Sequence, residues 1–351
     1  FVGITTKKFT KLHYIKYKEG IQMKRKFLLI LLLILVISIT GCTSSNEVAE
    51  EEIKSEETIE PGETIEPRIT VITTLFPQYD FAKTIGGELV ETSLLLPPGI
   101  EAHSFEPTPQ DIVGLLKSDL FLYTGELMEP WSKNIVSNLE SENILVVDLS
   151  KNIHLLELEE GDDHDHDHSH EDEGLDPHYW TDPNMAMVMV DTIVEAFTSL
   201  DPDNSNIYMS NGEELKNDLV VLDKDIREAL SKTKSSTIIS GGHFAFGYFA
   251  KAYNLEHMSP YSGFSPNAEP SPQSITNLIN KIKETNVRAI FYEELIDPKV
   301  GRTIVEETGV DLLLLHGTHN VSKDELEKGI SYIEIMYQNL ENLKLGLGYN
   351  E

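Results

Sequence analysis

Four histidines stand where an apolar, strand-like run gives way to a loop. His103 lies in LLPPGIEAHSFEPTPQD, His178 in DPHYWTDP, His243 in STIISGGHFAFGYFAKAY, and His316 directly follows VDLLLL. Neutral imidazole is a common ligand for transition metals. The chain has one cysteine, Cys42, which excludes both a disulfide framework and a thiolate zinc cage within one chain. A metal site must therefore draw on imidazole, carboxylate or water. A second set, His164, His166, His168 and His170, alternates with acids in GDDHDHDHSHEDEG and has no apolar anchor. His319, three residues beyond His316, competes for the last position, though its place in a loop suggests a capping or surface role. His13, His154 and His257 have no supporting context.

These residues need elements to position them. ITVITT (69–74), ETSLLL (91–96), DLFLYT and ILVVDL read as strands, with helical stretches between them at 78–85, after Thr108 and near 130–140. Thr108 is expected to be an N-cap with Pro109 at the first helical position. Strand–helix alternation at this spacing argues for α/β architecture with a parallel, helix-covered sheet. In 205–232, Leu215, Leu219, Leu222, Ile226 and Leu230 recur at steps of three and four, which marks one long helix. A second alternation follows, with strands STIIS, AIFY and VDLLLLH and helices FAFGYFAKAY, SPQSITNLINKIKET and DPKVGRTIVEET. A helix from about Lys323 to Leu343 is expected to close the chain. The expected divisions are a lobe at 68–202 with a His/Asp-rich loop at 157–175, a connecting helix at 203–233, and a second lobe at 234–351. Ligands of open parallel sheets bind beyond the carboxyl ends of the strands. Two such sheets facing across a cleft would bring two histidines from each lobe together.

The first 67 residues read as an address. MKRKFLLILLLILVISITGC (23–42) has a positive start, an apolar core too short for a membrane span and a small residue before Cys42. It is similar to a bacterial lipoprotein signal, which implies cleavage before Cys42 and lipid on its sulfur. KEG at 18–20 can be encoded with a ribosome-binding sequence about eight nucleotides before the Met23 codon. Residues 1–22 are accordingly expected to be over-called upstream sequence. Residues 42–67 read as an acidic, lipidated, disordered tether. The net charge of −31, or −38 without residues 1–41, argues against nucleic acid as a partner.

LLPPGIEAHSFEPTPQD, DPHYWTDP, GGHFAFGYFAKAYNL and FYEELIDPKVGRTIVEETGV together resemble the cluster A-I solute-binding lipoproteins of ABC transporters, over approximately residues 69–343. The resemblance implies two α/β lobes joined by a rigid backbone helix, with metal bound in the cleft between them. It carries three ligands onto His103, His178 and His243. The family's fourth ligand is usually an Asp after the last strand of the second lobe; here His316 takes that position, and Asp311 lies too early. Glu293 is the reserve, and a water could complete three histidines. Manganese binders of the family tend to use two histidines and two carboxylates. Three or four imidazoles suit tetrahedral zinc better, which leaves manganese as the lesser alternative.

The expectation is therefore a monomeric receptor, anchored by lipid at the outer face of the cell membrane. It captures Zn2+ and delivers it to an ABC permease and its ATPase by binding and release, with no catalysis. The alternating histidines are expected to add weak, exchangeable zinc sites. Two rivals differ in class. A zinc hydrolase would use Glu106 or Glu293 as base, although the sequence has no H-E-x-x-H helix. A surface adhesin is permitted by the tether and lipid without being required by them.

Overall fold

Short β-branched and apolar runs become parallel strands, and a loop and a helix follow most of them. The computed structural model describes residues 69–157, 174–261, 270–284 and 287–350. The signal-like run, Cys42, the acidic stretch to 67 and His164, His166, His168 and His170 lie outside them. The described residues belong to one contact unit, Ile65–Glu351.

In the first lobe, β1 (Ile69–Thr73), β2 (Val90–Leu94), β3 (Leu120–Tyr123) and β4 (Leu145–Asp148) form a parallel sheet in the order β2-β1-β3-β4. β3, LFLY, is buried along its whole length, as a strand covered on both faces must be. The connecting helices are α1 (Phe76–Gly86), α2 (Pro109–Leu115) and α3 (Val136–Ser141). Thr108 does cap α2: its hydroxyl accepts from Asp111 N, and the Asp111 carboxylate accepts from Thr108 N at 2.7 Å. The stretch near 130–140 differs from expectation, being a 3-10 turn at Pro130–Asn134 followed by the short α3. Two-residue strands β5 (Leu156–Glu157) and β6 (Leu175–Asp176) pair antiparallel and bracket 158–173. α4 (Pro183–Leu200) follows, capped by Asp182.

α5 (Ser205–Leu230) is 26 residues long, about 39 Å at the standard rise. It buries the stripe seen in the sequence, with Leu219, Leu222 and Ile226 fully covered. Gly212 lets it approach α4, since a Cβ there would lie 2.5 Å from Val194 Cγ2.

The second lobe contains β7 (Thr237–Ile239), α6 (Gly247–Ala252), β8 (Glu256–Met258), α7 (Pro272–Glu284), β9 (Ala289–Tyr292), α8 (Lys299–Thr308) and β10 (Asp311–Leu314). β7 pairs with β8 and β9 with β10, all parallel. A bridge between Ser240 and Phe291 joins the pairs, so the order is β8-β7-β9-β10. Taken strand by strand, this repeats the order of the first lobe. The helix expected over FAFGYFAKAY starts only at Gly247, leaving His243–Phe246 as loop.

The closing helix is two helices, α9 (Lys323–Glu327) and α10 (Tyr332–Leu347). Gly329, at φ +67°, ends the first, and Ser331 caps the second with a reciprocal Glu334 box. α10 packs on α5, and one apolar cluster runs from β1 and α1 through α4 and α5 to α10 and Phe291. The lobes thus share a core at their base rather than hanging from a loose linker.

Candidate metal centre

His103 is presented by the loop between β2 and α2. Pro97 and Pro98 stiffen its start, and Gly99 turns it at φ +84°. Glu101 then folds the next residues back, its carboxylate accepting from His103 N at 2.8 Å and Ser104 N at 3.0 Å. His178 leaves β6 into a 3-10 turn, Tyr179–Thr181, and is fully buried. Asp176 holds it twice, accepting from its backbone N at 2.9 Å and facing Nδ1 at 2.7 Å. The neighbouring rings are anchored too: Tyr179 OH donates to Thr124 O, and Trp180 Nε1 donates to Gly317 O.

His243 follows β7 through Gly241 and Gly242. Gly241 needs to be glycine, because a Cβ would meet the Gly301 Cα at 2.8 Å. Glu293, just past β9, faces His243 Nδ1 at 2.5 Å. The fourth ring belongs to His319. Its centroid lies 5.3 Å from His103, 5.1 Å from His178 and 6.4 Å from His243. The other three rings stand 5.1–5.2 Å apart. One ring nitrogen from each of His103, His178 and His243 lies within 4.8 Å of the others. His103 Nε2 and His178 Nε2 face each other at 3.3 Å.

His316 is placed differently from the sequence expectation. It is buried, but its Nδ1 accepts from Thr318 N at 3.0 Å, and its backbone is clamped from both sides by the Asn339 amide. Thr318 takes a left-handed φ of +61°, rare for a β-branched residue, and reverses the chain. The turn carries His319 into the cluster and leaves His316 on the loop. His319 is neither exposed nor a cap: it is 5% accessible. The signal available in the sequence was the H-G-T-H spacing. Glu293 is behind the rings, not among them, Glu106 is exposed, and Asp311 sits exposed at the start of β10. His257 stacks on Phe244 at 4.3 Å, next to His243.

Three rings share one arrangement. Asp176 stands at Nδ1 of His178, Glu293 at Nδ1 of His243, and Glu293 and Glu294 at Nδ1 of His319, at 3.3 and 3.2 Å. A carboxylate at Nδ1 selects the tautomer that frees Nε2 for a metal and makes it more basic. His243 Nε2 and His319 Nε2 are buried without a hydrogen-bond partner. Such orphaned nitrogens are costly unless something is coordinated there. Burial lowers the His103 pKa to about 2, with His319 and His243 adding to the effect, and holds His178 well below its usual value. Burial also lifts the Asp176 carboxyl to about 7. His319 goes the other way. Burial would lower it, but Glu293 and Glu294 together raise it, and Glu294 is lowered to about 2 because His316 and His319 outweigh its own burial. Neutral imidazoles backed by carboxylates are suited to a dipositive ion of borderline softness.

Two α/β lobes of repeated strand order on one shared core, with converging imidazoles between them, define a metal-binding receptor. Residues 71–346 match the family model described as ZnuA, zinc-uptake complex component A, periplasmic, and the chain belongs to that family. It is 39% identical over 279 residues to the high-affinity zinc uptake system protein ZnuA of Bacillus subtilis, covering 79% of this chain and 87% of that one. It is 31% identical over 334 residues to the zinc-binding protein AdcA of Streptococcus pyogenes, covering 92% of this chain but 62% of that longer protein. The crystal structure of the metal-dependent lipoprotein YcdH from Bacillus subtilis superposes with a TM-score of 0.68 at 36% identity, covering 80% of this chain and 99% of that one.

Proposed function

We propose that the chain is an extracytoplasmic receptor that captures Zn2+ and hands it to an ABC-type permease. His103, His178, His243 and His319 are the ligands in this reading. The observation that carries it is the meeting of four rings from both lobes, two of them with buried, unpartnered Nε2 atoms. Zinc is the cargo. Four imidazoles favour it over manganese, which prefers oxygen. Asp176, Glu293 and Glu294 stand behind the rings, where carboxylates would offset a bound ion's charge without occupying its coordination positions. Binding and release are the whole mechanism. The family is a component of an uptake complex, and the chain is a receptor, not an enzyme.

The finer parts of the reading are supported by sequence. Cys42 would carry lipid, given the run before it and the lipoprotein character of YcdH. No helix among the described residues is long and apolar enough to cross a membrane. The lobes at 68–202 and 234–351 would act as a monomer around the 203–233 helix, and His164, His166, His168 and His170 would supply the weaker sites. The permease and its ATPase are the partners.

Elemental analysis with competitive titration is the test. One tight zinc per chain is expected, and His319→Ala should weaken it far more than His316→Ala. Removal of residues 162–173 should lower stoichiometry and spare the tight site. A deletion strain that grows normally under zinc chelation yet no longer attaches to host cells would move the function to adhesion.

A further inference from the structure

Of the four rings, His103 is held least directly. It is the half-buried member of the cluster. His178, His243 and His319 each have a carboxylate at Nδ1, whereas Glu101 secures His103 through its backbone N. The ring's position therefore depends on where its loop is pinned. The pin comes from the opposite lobe. Asn320 is fully buried, and its Nδ2 donates to Pro97 O at 2.7 Å and Ile100 O at 2.9 Å. Its Oδ1 accepts from Val321 N at 2.8 Å, and Val321 O accepts from Gly99 N at 2.9 Å. The preceding residue is His319, whose carbonyl accepts from Phe76 N at 3.0 Å. One segment of the second lobe thus contributes a ring to the cluster and, at the next residue, holds the loop that contributes another.

We propose that Asn320 is a positioning residue that sets how fast zinc leaves, by tying the His103 loop to the second lobe. This rests on the reading of the four histidines as the zinc site. With the amide in place, the loop that carries His103 can move away only if both part-buried bonds from Asn320 break. Without it, the Pro97–Ile100 turn keeps only the Gly99 N bond to Val321 O as its tie to the lobe it faces, and the most exposed ring leaves first. Capture is less affected, because the other three rings are fixed by their own carboxylates.

The test uses the full-length, zinc-loaded protein mixed rapidly with excess fluorescent chelator. Asn320→Ala should speed dissociation about tenfold while changing association by less than about threefold. Asn320→Asp keeps the size and the acceptor for Val321 N but loses the donor, so it should be at least as fast and guards against a packing artefact. In a His103→Ala background, adding Asn320→Ala should give no further acceleration, and the cobalt-substituted single variant Asn320→Ala should keep the wild-type absorption spectrum. Dissociation from Asn320→Asp within about twofold of wild type, or the same acceleration with and without His103, would overturn the proposal. If His103→Ala held zinc as tightly as wild type, the site reading itself would fall and this inference with it.

Discussion

The two lobes have the same strand order but use the crevice at its centre differently. In the first lobe, the ends of β1 and β3 are filled by the protein's own side chains. Gln78 Oε1 accepts from Thr74 N and Leu75 N, and Gln78 Nε2 donates to Thr124 Oγ1. Glu129 accepts from Thr124 N at 3.0 Å and Gly125 N at 3.1 Å and meets both threonine hydroxyls. In the second lobe, the equivalent ends of β7 and β9 lead to His243 and Glu293. One crevice is plugged by hydrogen-bonded side chains, and the other ends in an unpartnered nitrogen. A parallel sheet therefore offers a place for a ligand, and the side chains decide whether it is used. The first lobe supplies its histidines to the cluster from elsewhere, from the loop after β2 and the turn before α4.

The contrast is broken most directly at the rings. In the proposed site four ligands would share roughly 10–16 kcal/mol of zinc binding, so His178→Ala should weaken affinity about 10²–10³-fold, measured by chelator competition. Glu129→Ala should do the opposite kind of damage. Leaving its donors unpaired should cost about 3 kcal/mol of unfolding free energy while zinc stoichiometry stays the same, and a large loss of zinc affinity would erase the distinction between the crevices. Glu293→Gln removes the carboxylate behind two rings and should cost about 10–100-fold in affinity with the fold intact.

Acidity sharpens the comparison further. Glu129 is buried and its carboxyl is raised to about 8. A raised carboxyl adds stability that is present below its unfolded value near 4.5 and is lost as pH rises through about 8. The neutral isostere Glu129→Gln should fold well and lack that decline between about pH 4.5 and 8 in a thermal-unfolding series. At the metal centre His319 is the raised histidine, while His103 and His178 are lowered. Zinc must displace the His319 proton, so affinity should fall about tenfold per pH unit below the pKa of His319 and level off above it. A slope of two or more protons per ion would mean that other rings are protonated as well. The smallest effect is expected from His316→Ala, within about threefold in affinity, because its Nδ1 is already engaged by Thr318 N.

Much of this was legible in the residues. The β-branched runs gave the strands, and the stripe from Leu215 to Leu230 gave α5, because periodicity reports burial directly. His103, His178 and His243 stood out because strand-end loops are where open sheets present side chains. His319 stood as a rival to His316, but that its ring is the one among the other three was not legible, since this depends on a left-handed Thr318, a conformation its residue type disfavours. The place of the carboxylates behind the rings was not foreseen for a related reason, Glu293 reading in the sequence as a reserve ligand. Asp176 is two residues from His178, but Glu293 reaches His243 across fifty residues, a pairing created by β7 and β9 lying side by side through the Ser240–Phe291 bridge. The single C-terminal helix failed at Gly329, where periodicity continues on both sides of a break.

The antiparallel pairing of Leu156 with Asp176 and Glu157 with Leu175 has a consequence for how such a protein can diversify. Because this clasp fixes both ends of the intervening segment, that segment could be lengthened, shortened or recomposed at a cost that grows only with the logarithm of its length. The residue after the clasp that matters, His178, would not move. If the proposed division between that segment and His178 holds, ion-collecting capacity and holding strength would be separately heritable traits, one varied by insertion and the other by point substitution.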